Sequence, residues 1–372
     1  MTSKLVVLFD AEPLARSEKS GIGYYTQGLI RALAEIGNDK IEIVGYHFSK
    51  PEVELPLASN INYIRSKIPL KFINQVRRLG LEIPVEILAK RRTDFIIYPN
   101  FIGQPSIFKT PSAVAVHDLT YLEHPEYVSP RNRLDLTRFV PNTIKRSEII
   151  ITISESTKAS ILKYYPWIKQ PIVVAHIPPP DPIISKNKNN IFELGITKPY
   201  ILFVGTLEPR KNLSNLLAAY ALLPQITRDK YQLVLAGGNG WNNETLLDEI
   251  NKKPDGVIVT GYIDDQQKAN LYKNAALFVL PSFYEGFGMP ILEAQSYGLQ
   301  VAVSDIEVFH EIAGSSAHYF DENNPESIST VLQNILSKPD LKAKTIRDNL
   351  ARFNWQNEAD KIYQTILNVV NK

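Results

Sequence analysis

The sequence has no cysteine and only six histidines in its 372 residues. Without cysteine, the chain forms no disulfide, uses no thiol nucleophile and offers no cysteine ligand to a metal. The histidines show no metal-ligand spacing, and we therefore expect no metal site. A cysteine-free chain agrees with a reducing compartment, and we expect a cytoplasmic protein.

Long apolar runs are also absent. No stretch approaches the ~20 apolar residues that a membrane-spanning helix needs, and the apolar run in residues 1–10 is too short for a signal-peptide core. Lys and Arg number 41 against 39 Asp and Glu, which gives a formal net charge of +2. This balance gives no reason to expect nucleic acid or an acidic partner. We expect a chain that is soluble or attached peripherally to the inner face of a membrane.

The length predicts two domains, because single hydrophobic cores stop growing beyond ~250–300 residues. The clearest break in composition is a proline-rich and polar segment at 176–190, which includes the polar run 186–190. We predict an N-terminal domain at 1–178, a linker at 176–190 and a C-terminal domain at 190–354. A final helix, predicted at 355–372, joins the N-terminal domain.

Short apolar runs alternate with helical patterns in both halves of the chain. This alternation predicts an α/β protein with two doubly wound, Rossmann-like domains that face a central cleft. The strands are predicted at 5–9, 41–46, 94–98, 112–116, 147–154, 172–175, 200–204, 232–236, 257–260, 277–280 and 301–305.

A glycine-rich turn follows the predicted strand 277–280. Gly286 and Gly288 would let a ligand approach the backbone, and Pro290 suits the start of a helix whose free N–H groups hold an anion. Two carboxylates, Glu285 and Glu293, flank this turn. The pattern fits a site for a polyol and a phosphate, and it fits equally an ordinary connection with two surface glutamates.

Two further segments place polar groups beyond the carboxyl ends of strands, where open α/β sheets bind ligands. His117 and Asp118 follow the strand 112–116, although a histidine there also occurs as a simple strand cap. Arg210 and Lys211 follow the strand 200–204. Two adjacent cations can clamp a diphosphate, but by themselves they fit a solvated basic turn as well.

A Gly-x-Gly pair, Gly21 and Gly23, precedes an amphipathic helix that ends at Gly37. As a dinucleotide fingerprint the pair is weak, because it stands well after the first strand and Thr26 occupies the third glycine position. As a flexible loop that presents N–H groups at a helix start, it suits a diphosphate or a sugar.

The segment 65–92 carries eight basic residues against Glu82 and Glu86. An apolar stripe there, formed by Phe72, Ile73, Val76 and Leu79, lies beside Lys71, Arg77 and Arg78. Such a helix can lie on an anionic membrane surface. The alternative is an ordinary helix that packs its stripe on its own domain and leaves a solvated basic face.

The segment Glu-Gly-Phe-Gly-Met-Pro, with seven residues between Glu285 and Glu293, resembles the E-x7-E signature of retaining GT-B glycosyltransferases of glycosyltransferase family 4. The resemblance covers nearly the whole chain. It is most similar to bacterial polysaccharide mannosyl- and rhamnosyltransferases. One departure is Thr206, because many members have an arginine directly after the equivalent of Gly205.

The resemblance implies a role for each matching residue. His117 would contact the donor sugar near its anomeric carbon, and Asp118 would contact the acceptor or help to remove its proton. The donor diphosphate would lie against Gly21, Gly23, Arg210 and Lys211. The sugar would be held by Glu285, Gly286, Phe287 and Gly288. Glu293 would bind the ribose, and the backbone at Tyr262 and Ile263 would bind the base.

The implied function is retaining, metal-independent transfer of a hexose from a nucleotide-sugar to a hydroxyl of a glycan or lipid-linked acceptor. The sequence has no Asp-x-Asp, which agrees with cations and helix dipoles in place of Mg²⁺. Mannose or rhamnose is favoured as the sugar and GDP-mannose as the donor, with no separate cofactor. Three alternatives remain: a nucleotide-sugar 2-epimerase, a non-catalytic nucleotide-sugar-binding scaffold and a nicotinamide oxidoreductase.

Overall fold

The computed structural model describes residues 4–16, 20–183, 191–240, 244–252, 255–338 and 342–371. The chain divides into two compact units. The first unit comprises Met1–Ile177 and Asn354–Lys372, and the second comprises Pro178–Phe353. The polar run predicted at 186–190, within the linker, lies outside the described residues.

The first unit contains a parallel sheet of seven described strands in the order β3-β2-β1-β4-β5-β6-β7. The strands are β1 (Leu5–Asp10), β2 (Ile41–His47), β3 (Ile61–Arg65), β4 (Phe95–Tyr98), β5 (Ser112–Val116), β6 (Ile149–Thr152) and β7 (Ile172–Val174). Leu8, Val44, Ile96 and Val114 are fully or almost fully buried, as expected for parallel strands covered on both faces.

The second unit contains a parallel sheet of six described strands in the order β10-β9-β8-β11-β12-β13. The strands are β8 (Tyr200–Val204), β9 (Gln232–Ala236), β10 (Val257–Gly261), β11 (Leu277–Leu280), β12 (Val301–Ser304) and β13 (Ala317–Phe320). In both sheets the order reverses beside the first strand, which leaves a crevice at the carboxyl ends of the central strands.

Fifteen described α-helices connect the strands. In the first unit they are α1 (Gly21–Ile36), α2 (Leu70–Arg78), α3 (Val85–Ala89), α4 (Thr120–Glu123), α5 (Pro130–Arg146) and α6 (Glu155–Tyr164). In the second they are α7 (Leu213–Leu222), α8 (Gln225–Lys230), α9 (Glu244–Asn251), α10 (Asp265–Asn274), α11 (Met289–Ser296), α12 (Glu307–Ala313), α13 (Pro325–Ser337) and α14 (Ala343–Leu350), and α15 (Trp355–Val370) returns to the first.

Every predicted strand is present, and the sequence pattern missed β3 and β13. Both lie at an edge of their sheet, and their middle residues are only partly buried or exposed. A half-covered edge strand does not need the continuous apolar run by which buried strands are recognised. The predicted strand 147–154 is shorter than expected, because Ser154 caps α6 by accepting a hydrogen bond from Thr157 N.

The last helix packs against α1 through a glycine. A Cβ atom at Gly28 would lie 2.0 Å from the indole of Trp355, so only glycine permits this approach. Ala359, Ile362, Tyr363 and Ile366 are buried on the same helix. No helix among the described residues is long and apolar enough to cross a membrane.

The basic segment 65–92 differs from its predicted form. Ile73 is buried in the core of the first unit, but Phe72 and Leu79 from the same predicted stripe are exposed. Arg77 is buried, so it does not belong to a solvated basic face. The prediction of one apolar face and one basic face on α2 is therefore wrong, because tertiary contacts draw a cation inward and leave apolar side chains outside.

Candidate active site

The second unit brings three predicted site residues into one cluster. Glu285 accepts a hydrogen bond from Nζ of Lys211 at 2.5 Å and one from a guanidinium nitrogen of Arg210 at 2.6 Å. Ser282 Oγ donates to the same carboxylate at 2.8 Å. Lys211 and the Glu285 side chain are both largely buried. A carboxylate and two cations thus lie at the carboxyl ends of β8 and β11.

The loops after these two strands are joined through the backbone. Arg210 donates from its side chain to the carbonyl oxygen of Tyr284 at 2.8 Å, and its own carbonyl oxygen accepts from Phe283 N at 3.0 Å. Asn212 takes a left-handed conformation with φ of 55° and donates to the carbonyl oxygen of Pro281 at 3.0 Å. The cations and Glu285 are therefore fixed by the backbone as well as by the ion pair.

The neighbouring cations keep Glu285 ionised despite its burial. Burial by itself raises the pKa of Glu285, but Arg210 and Lys211 outweigh it and lower that pKa to about 2. For Lys211, burial lowers the pKa and outweighs Glu285, which raises it. The Glu285 carboxylate accepts hydrogen bonds from both cations. An incoming anion such as a phosphate would compete with Glu285 for Arg210 and Lys211.

Glu293 is held separately from this cluster. Its carboxylate is buried on α11, where Lys268 Nζ donates to it at 3.1 Å and the Tyr272 hydroxyl donates at 2.9 Å. Lys268 also lies 3.7 Å from Asp265. The sequence analysis did not single out Lys268 and Tyr272. The one available signal was their spacing of four residues on a helix that Asp264 caps, which puts both side chains on one face of α10.

In the glycine turn between Glu285 and Glu293, position 288 requires glycine and the side chain at position 287 is buried. Gly288 has φ of 99°, and a Cβ there would lie 2.8 Å from the ring of Phe309. Phe287 is buried and its ring meets that of Phe353 edge-on, with centroids 6.2 Å apart. Its side chain thus packs in the core, and a sugar contact at this position would use its backbone. Gly286 lies in the same turn.

The predicted base-binding residues follow β10. Gly261 ends this strand with φ of 72°, and the Tyr262 side chain next to it is 60% exposed. Ile263 follows at intermediate burial, directly before Asp264 caps α10. The exposed tyrosine and the turned backbone lie at the carboxyl end of the sheet that also presents Arg210 and Lys211.

In the first unit, His117 is enclosed by aromatic rings. Its ring lies edge-on to Tyr25 at 4.9 Å and to Phe101 at 5.6 Å between centroids. Nε2 is 2.8 Å from the carbonyl oxygen of Pro99. Burial lowers the pKa of His117, and the Pro99 carbonyl and Asp118 only partly offset that effect. The imidazole is thus held neutral with a fixed orientation.

Asp118 has a structural partner of its own. Its Oδ1 accepts from Thr120 N at 2.9 Å and from Thr120 Oγ1 at 2.7 Å, which closes a local turn just before the short helix α4. These two hydrogen bonds account for the residue without a substrate. An acceptor contact would have to use lone pairs that remain on this carboxylate.

The predicted glycine loop at Gly21 and Gly23 is instead the first turn of α1. The helix begins at Gly21, and Ser20 caps it by accepting from Gly23 N at 3.4 Å. The sequence pattern started the helix too late, because two glycines weaken helix propensity. Because the cap uses Gly23 N, an anion at this helix start would depend on the other first-turn amides, which have no partner within the helix.

No group of three or more His, Cys, Asp or Glu side chains that could hold a metal occurs among the described residues. The structure thus brings Glu285, Arg210 and Lys211 together and places Glu293 on the helix that follows. His117, Asp118, Gly21 and Gly23 belong to the first unit. The roles assigned to these residues stay predictions.

Solved structures with this arrangement of two parallel sheets identify the class of the fold. A sucrose-phosphate synthase from Thermosynechococcus elongatus superposes with a TM-score of 0.72 at 18% identity, covering 99% of both chains. WaaG, a glycosyltransferase involved in lipopolysaccharide biosynthesis, gives 0.65 at 17% identity, also covering 99% of both. The chain has the GT-B fold.

Sequence comparison identifies the activity class. Residues 185–351 match the family described as glycosyl transferases group 1. An O-antigen chain mannosyltransferase B from Escherichia coli is 28% identical, covering 94% of this chain and 96% of the relative. The serotype-specific mannosyltransferase WbdA from Escherichia coli is 25% identical over 98% of this chain, which spans 46% of WbdA. The protein is a glycosyltransferase, and the predicted resemblance is confirmed.

Proposed function

We propose that this protein transfers a mannosyl residue from a nucleotide-sugar, with GDP-mannose as the first candidate, to a hydroxyl of a glycan or lipid-linked acceptor. The observation that carries the proposal is the cluster of Glu285, Arg210 and Lys211 at the carboxyl ends of two central strands. Mannosyltransfer is supported by the named activities of the relatives from Escherichia coli.

In the proposed mechanism, Arg210 and Lys211 turn towards the donor diphosphate and stabilise the charge that develops on the leaving group. Glu285 then holds hydroxyls of the sugar, and Glu293 holds the ribose diol. The neutral His117 contributes a hydrogen bond near the anomeric carbon. The transfer retains configuration, and a phosphate oxygen of the donor takes the acceptor proton.

We also propose that the reaction needs no divalent metal and no separate cofactor. Arg210 and Lys211 supply the positive charge that Mg²⁺ provides in other reactions with a diphosphate leaving group. Turnover should therefore stay within about twofold of its starting rate after treatment with EDTA. A rate that collapses with EDTA and returns with Mg²⁺ or Mn²⁺ would overturn this part of the proposal.

The donor is tested first by binding. In a thermal-shift panel of GDP, UDP, dTDP and ADP, we expect GDP to raise the melting temperature most, because a bound ligand stabilises the folded state. A shift by dTDP alone would redirect the sugar to a deoxyhexose such as rhamnose. No shift by any of the four would contradict the nucleotide-sugar proposal.

Turnover is tested next, with GDP-mannose and a mannose-terminated glycoside, by NMR of the product. We expect the anomeric configuration of the donor to be retained. An incubation without the glycoside tests the alternative activity, because a 2-epimerase would convert GDP-mannose to a second nucleotide-sugar. Binding of GDP without turnover of any donor would instead indicate a scaffold.

Contact of the segment 65–92 with an anionic membrane is part of the same proposal, which would place the protein at the cytoplasmic face. Phe72 and Leu79 are 52% and 75% exposed, and Lys71 beside them is also exposed. Apolar and basic side chains side by side suit an anionic surface. We expect co-sedimentation with phosphatidylglycerol vesicles, weakened by Phe72→Ser with Leu79→Ser but not by the control Leu222→Ser. Equal sedimentation of all three proteins would contradict it.

A further inference from the structure

A pocket of about 720 Å³ lies within the first unit. It is bordered by the ends of β1 and β4, by the start of α1 and by α2 and α5. This volume falls in the range of about 300–1,000 Å³ typical of small-molecule sites. The residues that line it include none of the site residues predicted from the sequence.

Asp10 lines this pocket from the carboxyl end of a strand. It is the last residue of β1, and its Oδ1 accepts from Glu12 N at 3.1 Å. Tyr46 lies opposite Asp10 on the neighbouring strand, and its hydroxyl donates to Gln104 Oε1 at 3.2 Å, so it leaves the Asp10 carboxylate open. An ionised carboxylate has about four acceptor positions, so Asp10 retains capacity for hydroxyl groups of a ligand.

The charges that line the pocket balance. Three carboxylates and three guanidinium groups are present: Asp10, Glu12, Asp135, Arg16, Arg77 and Arg78. Several of them are engaged within the protein. Arg78 Nε donates to Asp135 at 3.1 Å, and the Glu12 carboxylate accepts from the amides of Phe48 at 2.8 Å and Ser49 at 3.0 Å.

The remaining buried cation of the lining is Arg77. Arg77 is buried, and it acts on Asp10 electrostatically as well as donating to Asn74 Oδ1 at 3.3 Å. A pocket that binds a phosphate or carboxylate needs an excess of cations, because a buried anion without a partner is costly. The balanced lining therefore favours an uncharged ligand.

Aromatic rings and amide side chains complete the lining. Phe48, Phe101 and Phe139 present apolar surface, while Asn74, Asn100 and Asn132 add hydrogen-bonding groups. The apolar C–H faces of a sugar ring can cover aromatic surface, and its hydroxyls suit carboxylate and amide groups. Phe101 also touches the predicted catalytic residue, since its ring meets that of His117.

We propose that this pocket binds the terminal sugars of an uncharged saccharide acceptor, and that Asp10 is a positioning residue that anchors one of its hydroxyls. The proposal rests on the proposed function and adds the acceptor class to it. It separates this protein from transferases with an anionic lipid headgroup as acceptor, such as relatives named as phosphatidyl-myo-inositol mannosyltransferases.

Protonation should control this anchor. Burial raises the pKa of Asp10 to about 7, against the opposing effects of the Glu12 amide, Arg77 and Tyr46, while the Glu12 charge raises it further. Below that pH the carboxyl group is neutral and accepts hydroxyl hydrogen bonds more weakly. Saccharide binding should thus weaken as the pH falls from 8 to 6.

The test measures binding directly, by saturation-transfer NMR with the full chain and no donor. The neutral probe is the methyl glycoside of mannotriose, and the anionic probe is myo-inositol 1-phosphate. We expect the trioside to bind and Asp10→Asn to weaken it at least about tenfold, as for a lost hydrogen bond to a charged group. The weakening of binding between pH 8 and 6 should disappear in this variant.

A second variant avoids the buried network. Asn132 lines the pocket from an exposed position on α5, so Asn132→Trp should obstruct it without disturbing the core. Its matched control is Asn142→Trp, an exposed site on the same helix outside the pocket lining. Asp39→Asn, at an exposed carboxylate of the same unit, is the control for Asp10→Asn.

The proposal is overturned if the trioside does not bind the wild type, or if both Asp10→Asn and Asn132→Trp bind it as the wild type does. It is also overturned if inositol phosphate displaces the trioside with equal or higher affinity. GDP-mannose consumption is followed in the same preparations. If the wild type binds the trioside but does not consume GDP-mannose, the proposed function is contradicted and the pocket assignment stands. If it consumes GDP-mannose but does not bind the trioside, only the pocket assignment is contradicted.

Discussion

Nζ of Lys211 lies 2.5 Å from Oε1 of Glu285, so two side chains expected to hold different parts of the donor are bonded to each other. Arg210 completes the cluster at 2.6 Å from the other carboxylate oxygen. The arrangement supplies each buried charge with a partner in the absence of ligand. A donor diphosphate would therefore exchange one anionic partner of the cations for another.

Replacement of Lys211 by alanine should remove donor turnover. We expect kcat/KM for the donor to fall about 10²–10³-fold, the effect of removing one group that stabilises developing negative charge. Arg210 still pairs with Glu285, so the free energy of unfolding should fall only about 1–3 kcal/mol. Steady-state kinetics and urea denaturation measure both effects. The control is Lys273→Ala, at an exposed lysine of α10, and near-normal turnover of Lys211→Ala would refute the phosphate clamp.

The ionised Glu285 should make folding stability depend on acid. Its pKa in the folded protein is about 2, below the ordinary value of 4.5. The stabilisation is thus fully present above about pH 4.5 and is lost as the pH falls through that value towards 2. Glu285→Gln should lower the free energy of unfolding by about 3 kcal/mol at pH 6, because the buried Lys211 loses its carboxylate partner, whereas Arg210 keeps Glu208.

The difference between wild type and Glu285→Gln should narrow as urea denaturation is repeated from pH 6 to pH 3. Glu193→Gln, at an exposed glutamate of the same unit, provides the comparison. If the two glutamine variants show the same stability at every pH, the ion-pair cluster contributes nothing to folding.

Glu293 should control nucleotide affinity. Lys268 and Tyr272 hold its buried carboxylate in one orientation, and a ribose diol bound there would donate to a charged acceptor. Glu293→Gln should raise the Kd of the nucleotide about tenfold or more, because hydrogen bonds to charged groups contribute about 1.5–3 kcal/mol. Calorimetric titration with GDP measures this. Asp265→Asn, whose carboxylate also lies near Lys268, should leave the Kd unchanged, and an equal effect of both changes would contradict a specific ribose contact.

Two glycines allow the packing at the turn to be separated from its backbone conformation. Gly288 and Gly298 have φ of 99° and 79°, but only at Gly288 would a Cβ meet a neighbour, 2.8 Å from the Phe309 ring. Gly298→Ala should cost about 1 kcal/mol for the left-handed backbone. Gly288→Ala should cost about 1–3 kcal/mol more, the usual effect of overpacking. Urea denaturation measures both, and equal losses would show that the Phe309 contact relaxes freely.

His117 should be neutral, with its proton on Nε2. The Pro99 carbonyl accepts from that nitrogen at 2.8 Å, which leaves Nδ1 as an acceptor, and burial lowers the pKa. Because the unfolded chain takes up a proton near pH 6.5 and the folded one does not, stability should fall as the pH drops through 6.5. Nitrogen-15 correlation spectra, assigned with His117→Asn and referenced to N-acetylhistidine, measure both properties. A protonated ring at pH 6.5, or a proton on Nδ1, would contradict this description.

The sequence by itself determined the strands that are buried on both faces, because short continuous apolar runs bounded by proline, glycine or serine are typical of strands inside a parallel sheet. The edge strands β3 and β13 are less covered and gave no such signal. The patterns of Glu285 and of Arg210 and Lys211 each fitted an ordinary surface turn as well, and it was the family resemblance that assigned all three residues to one donor site.

Only the tertiary structure decided which charged groups share an environment. Asp10 ends a strand and His117 follows one, yet nothing in the sequence around Asp10 reveals that Tyr46 lies opposite it in the sheet or that Arg77 lines the same pocket. One of the two readings put Arg77 on a solvated face, but it is buried and its guanidinium lies over the ring of Phe139 on α5. Periodicity specifies which residues share a face of one element, whereas the pairing of buried charges depends on how elements pack together.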